Sequence, residues 1–176
     1  MILVTGATGF IGSEVVKQLS DEGLEFKCLV RTPGTENRIK SSSAKIHYGD
    51  LLNPKSLPYV FSGVDTVINV AGTLPFGHNA EGYRRKNVGS VVNLVEAGED
   101  AGVRKIVHIS AVGGSQDHSN VFLKSKYLSE NVVTRGTAES TVLRLPHVFG
   151  PRDSFTNYCA SLMKIFPFKL MYGDPE

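Results

Sequence analysis

The stretch Thr5-Gly6-Ala7-Thr8-Gly9-Phe10-Ile11-Gly12 decides the fold, because it joins a short apolar run to an amphipathic one through three spaced glycines. Gly6 permits a tight turn, Gly9 lets the backbone approach a pyrophosphate, and Gly12 allows a helix to pack closely on a strand. The N-terminus of that helix presents unpaired N–H groups and a positive dipole to phosphates. The segment Gly6–Gly12, called the glycine loop below, therefore predicts dinucleotide binding.

Short apolar runs alternate with longer amphipathic stretches along the chain, which is typical of strands joined by crossover helices. Several runs are continuously apolar, as in Val67-Ile68-Asn69-Val70, and this favours parallel strands covered on both faces. The predicted strands are Ile2–Thr5, Phe26–Val30, Lys45–Tyr48, Thr66–Val70, Lys105–Ile109 and Thr141–Leu145. The predicted helices are Phe10–Glu22, Pro54–Phe61, Glu81–Ala101 and Asn120–Thr134. We expect an α/β fold with a Rossmann-type doubly wound parallel sheet in three αβα layers.

Length and composition predict a globular protein with a core of ordinary size. The chain has 176 residues, of which 41% are hydrophobic and 20% charged, and its net charge is +2. That charge is too small to predict nucleic-acid binding, and the absence of any apolar run of roughly 18 residues argues against membrane insertion. Cys28 and Cys159 predict no disulfide framework, which suits a reducing compartment.

The two ends of the chain give further expectations. A strand that begins at Ile2 leaves no room for a signal or transit peptide. We therefore expect a cytoplasmic protein, or one of an organellar matrix or stroma if a leader has been removed. Residues 1–150 are expected to form the nucleotide-binding domain. Residues 151–176 are expected to begin a substrate-binding lobe that is cut short.

The residue after the second predicted strand indicates which dinucleotide is bound. An acid at this position would accept a hydrogen bond from the ribose 2′-hydroxyl of NAD, but Arg31 follows Val30 here. A guanidinium pairs well with a 2′-phosphate, and Arg38 is close enough in sequence to help. A solvated surface arginine is the alternative interpretation. The sequence therefore predicts NADP(H) in preference to NAD(H), with NAD(H) as the alternative.

Further residues are predicted to line the same site at the carboxyl edge of the strands. Asp50, in Gly49-Asp50-Leu51, could accept a hydrogen bond from the adenine amino group or could instead cap the next helix. Val70-Ala71-Gly72 follows the fourth strand with small residues that leave space for the cofactor. The predicted nucleotide-binding residues to this point are Gly6, Ala7, Thr8, Gly9, Phe10, Ile11, Gly12, Arg31, Arg38, Asp50, Leu51, Val70, Ala71 and Gly72.

These motifs, with three later ones, resemble the extended and atypical short-chain dehydrogenase/reductases of the NAD-dependent epimerase/dehydratase type over essentially the full length. The later motifs are Asn87-Val88-Gly89, His108-Ile109-Ser110 and Leu143–Gly150. The segments Val67–Gly72 and Val107–Ala111 most resemble the branch that contains the NAD(P)H-binding accessory subunit of respiratory complex I. The resemblance implies a protein assembly or a homodimer as partner. It also implies cofactor contacts from Asn87, Lys126, Pro146, His147 and Val148.

The resemblance further implies a catalytic tyrosine, lysine and serine, in which the tyrosine is the general acid or base. The tyrosine precedes the lysine by four residues, so that both share one face of a helix. Here Phe122 stands four residues before Lys126, and no tyrosine precedes any lysine at that spacing. For the serine, Ser110 and the position of Ala111 compete. Because a phenyl ring neither donates nor accepts a proton, the proton donor is predicted to be missing, while Lys126 still aligns with the nicotinamide ribose.

Two functions follow from the sequence. The first is an NADP(H)-binding protein that is weakly or non-catalytic and has a structural or redox-sensing role. The alternative is an NAD(P)-dependent oxidoreductase or nucleotide-sugar epimerase/dehydratase that uses another acid or a bound water. No metal is predicted, because His108, Asp117 and His118 lack the spacing of a metal site. The cluster Tyr83-Arg84-Arg85-Lys86 is predicted to be a solvated basic face.

Overall fold

The structure is a computed structural model that describes residues 1–41, 43–73, 75 and 77–165. The chain divides into two compact units, the first from Met1 to Pro146 and the second starting at His147. The predicted lobe over residues 151–176 lies outside the described residues from position 166 onward. In the second unit, helix α6 spans Ser154–Ile165.

A single parallel sheet forms the centre of the first unit. Its strands are β1 (Ile2–Thr5), β2 (Phe26–Val30), β3 (Lys45–Tyr48), β4 (Thr66–Asn69), β5 (Lys105–Ala111) and β6 (Glu139–Leu145). Their order in the sheet is β3-β2-β1-β4-β5-β6, and every neighbouring pair is parallel. The strand order reverses at β1, and a crevice forms at such a switch point beyond the carboxyl ends of the strands. The predicted doubly wound α/β fold is confirmed.

Helices follow the strands at almost the predicted bounds. They are α1 (Phe10–Asp21), α2 (Leu57–Phe61), α3 (Ala80–Tyr83), α4 (Ser90–Asp100) and α5 (Val121–Arg135), with 3-10 turns at Thr35–Arg38 and Pro54–Ser56. The predicted helix Glu81–Ala101 is correct in extent, but a π turn at Arg84–Gly89 separates α3 from α4. The Ser90 hydroxyl donates to the carbonyl of Lys86 at 2.6 Å. That bond satisfies a carbonyl within the widened turn and so stabilises it.

The hydrophobic core lies on both faces of the sheet, as the continuously apolar strands predict. Leu3 packs on one face with Phe61 and Leu94, while its neighbour Val4 packs on the other face with Phe26. Both phenylalanines are fully buried, and burial of a side chain of this size contributes about 1.5–3 kcal/mol. Within the described residues, no helix is long and apolar enough to cross a membrane. Because both faces of the sheet are covered, a ligand can enter at the carboxyl ends of the strands.

Candidate functional site

A cavity of about 360 Å³ opens at the carboxyl ends of β1, β2, β3 and β4. Its walls are the glycine loop, the residues after β2, the turn after β3, the residues after β4, and two residues of the α3–α4 segment. Among the predicted nucleotide-binding residues, it brings together Gly6, Thr8, Gly9, Arg31, Arg38, Asp50, Leu51, Val70, Ala71 and Gly72. Lining residues that the sequence reading missed include Thr32, Thr35, Thr73, Lys86 and Ser90.

The glycine loop is a tight turn in which two glycines have no room for a side chain. Gly6 has a φ of +69°, and a Cβ there would lie 2.7 Å from the amide nitrogen of Ala71. A Cβ on Gly12 would lie 2.1 Å from the carbonyl oxygen of Gly6. The N-cap of α1 is Gly9, which provides no side-chain cap. The N–H groups of the first turn of α1 are therefore left for a ligand at the cavity.

The other three predicted residues of the glycine loop support the turn from behind. Ala7 is fully buried and packs with Val4 and Val16 in the core. Phe10 and Ile11 are half-buried at the start of α1. None of these three residues lines the cavity, and their contact with a nucleotide stays a prediction.

Two arginines line the end of the cavity beyond β2. Arg31 directly follows the strand, and Arg38 ends the 3-10 turn; both side chains are exposed. Neither guanidinium has an ion-pair partner within the described part of the chain. The same cavity is lined by Asp50, whose Oδ1 accepts the Leu52 N–H at 2.9 Å and so stabilises the turn after β3. A carboxylate oxygen has further acceptor capacity, so Asp50 can do this and still bind a ligand.

Lys126 is buried beside the residues that follow β4. Its ammonium donates to the carbonyl of Ile109 at 2.8 Å, and its side chain is 8% exposed. A Cβ on Gly72 would lie 3.8 Å from this Nζ, so the missing side chain at Gly72 gives the lysine access to the cavity edge. Burial lowers the pKa of Lys126 to about 8, although the nearby Glu130 carboxylate opposes the shift.

Phe122 lies one helical turn before Lys126, and its ring makes an apolar contact. The helix begins just before it, where the Asn120 side chain accepts the Phe122 N–H at 2.9 Å. The Phe122 ring meets the ring of Tyr83 edge-on, with centroids 5.6 Å apart and an interplanar angle of 67°. Tyr83 is 2% exposed. The predicted solvated face is therefore wrong for Tyr83, whose ring packs against α5.

Ser110 donates its proton to a buried carboxylate. Its hydroxyl lies 2.5 Å from Oε1 of Glu130, which is 4% exposed. Arg144 binds the same carboxylate through Nε at 3.1 Å and Nη2 at 2.7 Å, and this pairing raises the pKa of the arginine. The sequence reading missed Glu130, although it stands four residues after Lys126 on the same face of α5. The hydroxyl proton of Ser110 therefore points to Glu130.

Asn87 lies behind the cavity wall and joins three segments. Its Oδ1 accepts from the backbone N–H and the hydroxyl of Thr73, at 3.1 and 3.0 Å. Its Nδ2 donates to the hydroxyl of Ser125 at 2.9 Å. A Cβ on Gly72 would come within 4.0 Å of the Oδ1. The amide thus holds the residues after β4 against α5, and a direct contact with cofactor stays a prediction.

A buried hydrogen-bonded chain runs beneath the site from β1 to α5. The Thr5 hydroxyl donates to Oδ1 of Asn69 at 2.6 Å, and Nδ2 of Asn69 lies 2.9 Å from Nδ1 of His108. Nε2 of His108 lies 3.1 Å from the Ser129 hydroxyl, which itself donates to the carbonyl of Lys126 at 2.7 Å. Because the Ser129 proton is used, Nε2 must donate and Nδ1 must accept. His108 is therefore a neutral structural residue with both nitrogens occupied.

The surroundings of His108 strongly favour this neutral form. The ring is 1% exposed. Burial, and secondarily the charge of Lys126, lowers its pKa to about 3.

Among the described residues, no group of three His, Cys, Asp or Glu side chains could hold a metal ion.

The last three predicted cofactor residues are consecutive in sequence, where the first unit ends and the second begins. Pro146 is exposed at the end of the first unit. His147 and Val148 begin the second unit, where Nε2 of His147 lies 3.1 Å from the Thr156 hydroxyl. The His147 ring also packs on Phe155 with centroids 5.4 Å apart. Their part in cofactor binding stays a prediction.

Comparison with known proteins gives a consistent family assignment. The sequence profile described as the NAD dependent epimerase/dehydratase family matches residues 2–166. A ceramide reductase of Caulobacter vibrioides is 28% identical over 156 residues, covering 89% of this chain and 49% of its own length. The photosystem II assembly factor Ycf39 of Guillardia theta is 28% identical over 150 residues, covering 84% of this chain and 46% of its own. The chain thus spans about half the length of these two relatives.

A solved structure is similar to this chain in both sequence and fold. MoeE5 in complex with UDP-glucose and NAD is 29% identical, with a TM-score of 0.74 over 93% of this chain and 60% of that protein. The predicted resemblance to the extended short-chain group is confirmed. The finer placement beside the accessory subunit of complex I stays a prediction.

Proposed function

The chain belongs to the NAD dependent epimerase/dehydratase family, and we propose that it binds NADP(H) in preference to NAD(H) with little or no turnover. In this proposal the nucleotide lies along the carboxyl edge of the sheet, and the protein has a structural or redox-sensing role within an assembly. The relative named as a photosystem II assembly factor supports a role of that kind. The chain's own cavity and Phe122 supply the physical argument.

The observation that carries the NADP(H) preference is the pair of arginines beyond β2. Arg31 occupies the place where an acid would bind the ribose 2′-hydroxyl of NAD, and Arg38 lines the same end of the cavity. Neither has an ion-pair partner in the part of the chain that is described. A charge-assisted hydrogen bond contributes about 1.5–3 kcal/mol, and about 1.4 kcal/mol corresponds to tenfold in affinity. One such contact favours NADPH over NADH by roughly tenfold to a hundredfold.

The rest of the cavity fits the remaining parts of a dinucleotide. Gly6 and Gly12 allow the close backbone packing that shapes the glycine loop, and the N-terminus of α1, which has no side-chain cap, can bind a pyrophosphate. Asp50 offers a carboxylate oxygen to the adenine amino group. Lys126 reaches the cavity edge at Gly72, where it would bind the nicotinamide ribose. The relative MoeE5 is described in complex with NAD, which supports the same mode of binding.

Weak or absent turnover is proposed because the proton-transfer groups are missing or engaged. Bound NADPH supplies a hydride, but reduction of a carbonyl also needs a proton at the oxygen. Phe122 has none to give, and the Ser110 proton is donated to Glu130. Loss of a positioned general acid lowers a rate by about 10²–10⁴-fold. The residues present therefore bind and orient the nucleotide without completing the chemistry.

A fluorescence titration with NADPH and with NADH tests the binding proposal. Wild-type protein should bind NADPH at least about tenfold more tightly than NADH. Arg31→Met should weaken NADPH binding and leave NADH binding unchanged. Arg135→Met, which removes an arginine at the end of α5 outside this cavity, is the matched control and should change neither. Equal affinity of the wild type for the two nucleotides would contradict the Arg31 assignment, and binding of neither would contradict the function itself.

The alternative is a working oxidoreductase or nucleotide-sugar epimerase/dehydratase that takes its proton from another group. Two observations favour it: Lys126 is retained beside Gly72, and one relative is named a ceramide reductase. This alternative predicts a measurable rate that Lys126→Ala abolishes. A panel of carbonyl compounds and sugar nucleotides that produces no change in the redox state of the cofactor would count against it.

A further inference from the structure

The π turn at Arg84–Gly89 directs one of its cations into the cavity. Arg84 and Arg85 are exposed, and Arg84 pairs with Glu81, whereas Lys86 is half-buried and lines the cavity. The Ser90 hydroxyl holds the carbonyl of Lys86 at 2.6 Å. The next residue, Asn87, faces Thr73 and α5 instead. The widened turn therefore separates Lys86 from the solvated arginines on its own element.

The ammonium of Lys86 contacts a histidine and, among the described residues, forms no ion pair. Its Nζ lies 3.3 Å from Nε2 of His78, and the ammonium must be the donor because it has no acceptor site. That contact uses one of its three protons. Lys86 is in none of the ion pairs formed among the described residues. Two donors thus remain for a negatively charged ligand in the cavity that this side chain lines.

The sheet order places Lys86 away from the proposed 2′-phosphate contact. Arg31 follows β2, whereas Lys86 lines the cavity directly before Asn87, whose side chain binds Thr73 after β4. β2 and β4 lie on opposite sides of β1, so their ends are about 10 Å apart at the usual strand spacing. The glycine loop follows β1 and lies between them. A dinucleotide whose 2′-phosphate meets Arg31 therefore passes its pyrophosphate between Arg31 and Lys86.

We propose that Lys86 is a phosphate-binding residue that contacts the pyrophosphate of the bound dinucleotide, opposite the N-terminus of α1. This inference rests on the proposed function and deepens it. The helix end neutralises the pyrophosphate through backbone N–H groups, and Lys86 supplies a full charge from the other side. Lys86 contributes equally to the affinity for NADPH and for NADH, whereas Arg31 contacts only the 2′-phosphate.

Isothermal titration calorimetry with three ligands separates the two contacts. NADPH carries both the pyrophosphate and the 2′-phosphate, NADH lacks the 2′-phosphate, and adenosine 2′-monophosphate lacks the pyrophosphate. Lys86→Met should weaken NADPH and NADH by the same factor, about tenfold, and leave adenosine 2′-monophosphate unchanged. Lys86→Arg should retain the affinity for both dinucleotides. Arg85→Met, on the same turn but outside the cavity, is the matched control and should change no affinity.

Three results would overturn the Lys86 assignment. They are unchanged dinucleotide affinity in Lys86→Met, an equal loss for adenosine 2′-monophosphate, and an equal loss in Arg85→Met. Each would leave the proposed function standing, because the wild type would still bind NADPH. A wild type that binds no dinucleotide would overturn both proposals. Melting temperatures and a second neutral variant, Lys86→Gln, separate a folding defect of the methionine variant from a lost contact.

Discussion

Acidification from about pH 7.5 to pH 5 is expected to destabilise the protein by about 2 kcal/mol through His108 alone. The ring is buried at 1% exposure, and Asn69 and Ser129 occupy its two nitrogens. A proton on Nδ1 would face the Nδ2 donor of Asn69 without any acceptor. For these reasons burial holds the pKa of His108 at about 3 in the folded protein.

The magnitude follows from linkage between protonation and folding. The pKa of His108 is about 3 when folded, against an ordinary value of 6.5 for a histidine in the unfolded chain. Below the unfolded value, the unfolded chain binds a proton that the folded chain does not, so stability falls as the pH falls. The fall approaches about 1.4 kcal/mol per pH unit and continues toward the folded pKa. At pH 5 the unfolded state has gained about 2 kcal/mol from this one group.

Urea unfolding of the wild type and of His108→Gln at both pH values isolates this effect. Every other titrating group is common to the two proteins, so the difference between their pH dependences belongs to His108. The wild type should lose about 2 kcal/mol more than the variant on acidification. Equal losses would refute the assignment of His108 as a buried neutral ring. The comparison is independent of how much the substitution itself destabilises the protein.

Three further predictions concern the glycine loop, the core thiol and the carboxylate beside Lys126. Gly12→Ala should destabilise folding by about 1–3 kcal/mol in urea unfolding and abolish NADPH binding, because its Cβ would lie 2.1 Å from a backbone oxygen. Burial raises the pKa of Cys28 to about 12, so the native thiol should react with a thiol reagent at alkaline pH only after denaturation. Glu130→Ala should lower the free energy of unfolding by about 1–3 kcal/mol, because it leaves the buried Ser110 hydroxyl without its acceptor. An unchanged urea midpoint for either variant, or rapid labelling of native Cys28, would contradict the corresponding prediction.

The sequence predicted most of the fold because its local signals agree. The strands Ile2–Thr5, Phe26–Val30 and Lys45–Tyr48 occur at their predicted bounds. Each is a short run bounded by turn residues. In a parallel sheet that is covered on both faces, such runs mark the limits of the strands clearly. The strand Thr66–Val70 ends one residue earlier than predicted. The same topology brought the residues after four strands into one cavity.

The residues that sequence reading missed depend on contacts between distant elements. Lys86, which lines the cavity, lies in a π turn that interrupts a pattern typical of one continuous helix. Glu130 and Arg144 meet across α5 and β6, and no local pattern pairs them. His108 has an unremarkable position in a strand, and only the folded structure shows that both ring nitrogens are engaged. Tertiary hydrogen bonds, which have no sequence period, define these features.

Binding without turnover is tested most directly by following the absorbance of reduced nicotinamide in protein saturated with NADPH, as carbonyl compounds and sugar nucleotides are added. Saturable binding of NADPH with no substrate-dependent loss of the reduced nicotinamide is the predicted result. The same assay on Phe122→Tyr tests whether the missing hydroxyl limits the rate of NADPH oxidation. Oxidation by the wild type at an ordinary enzymatic rate of about 1–10³ s⁻¹ would contradict the proposal that binding and chemistry have separated in this protein.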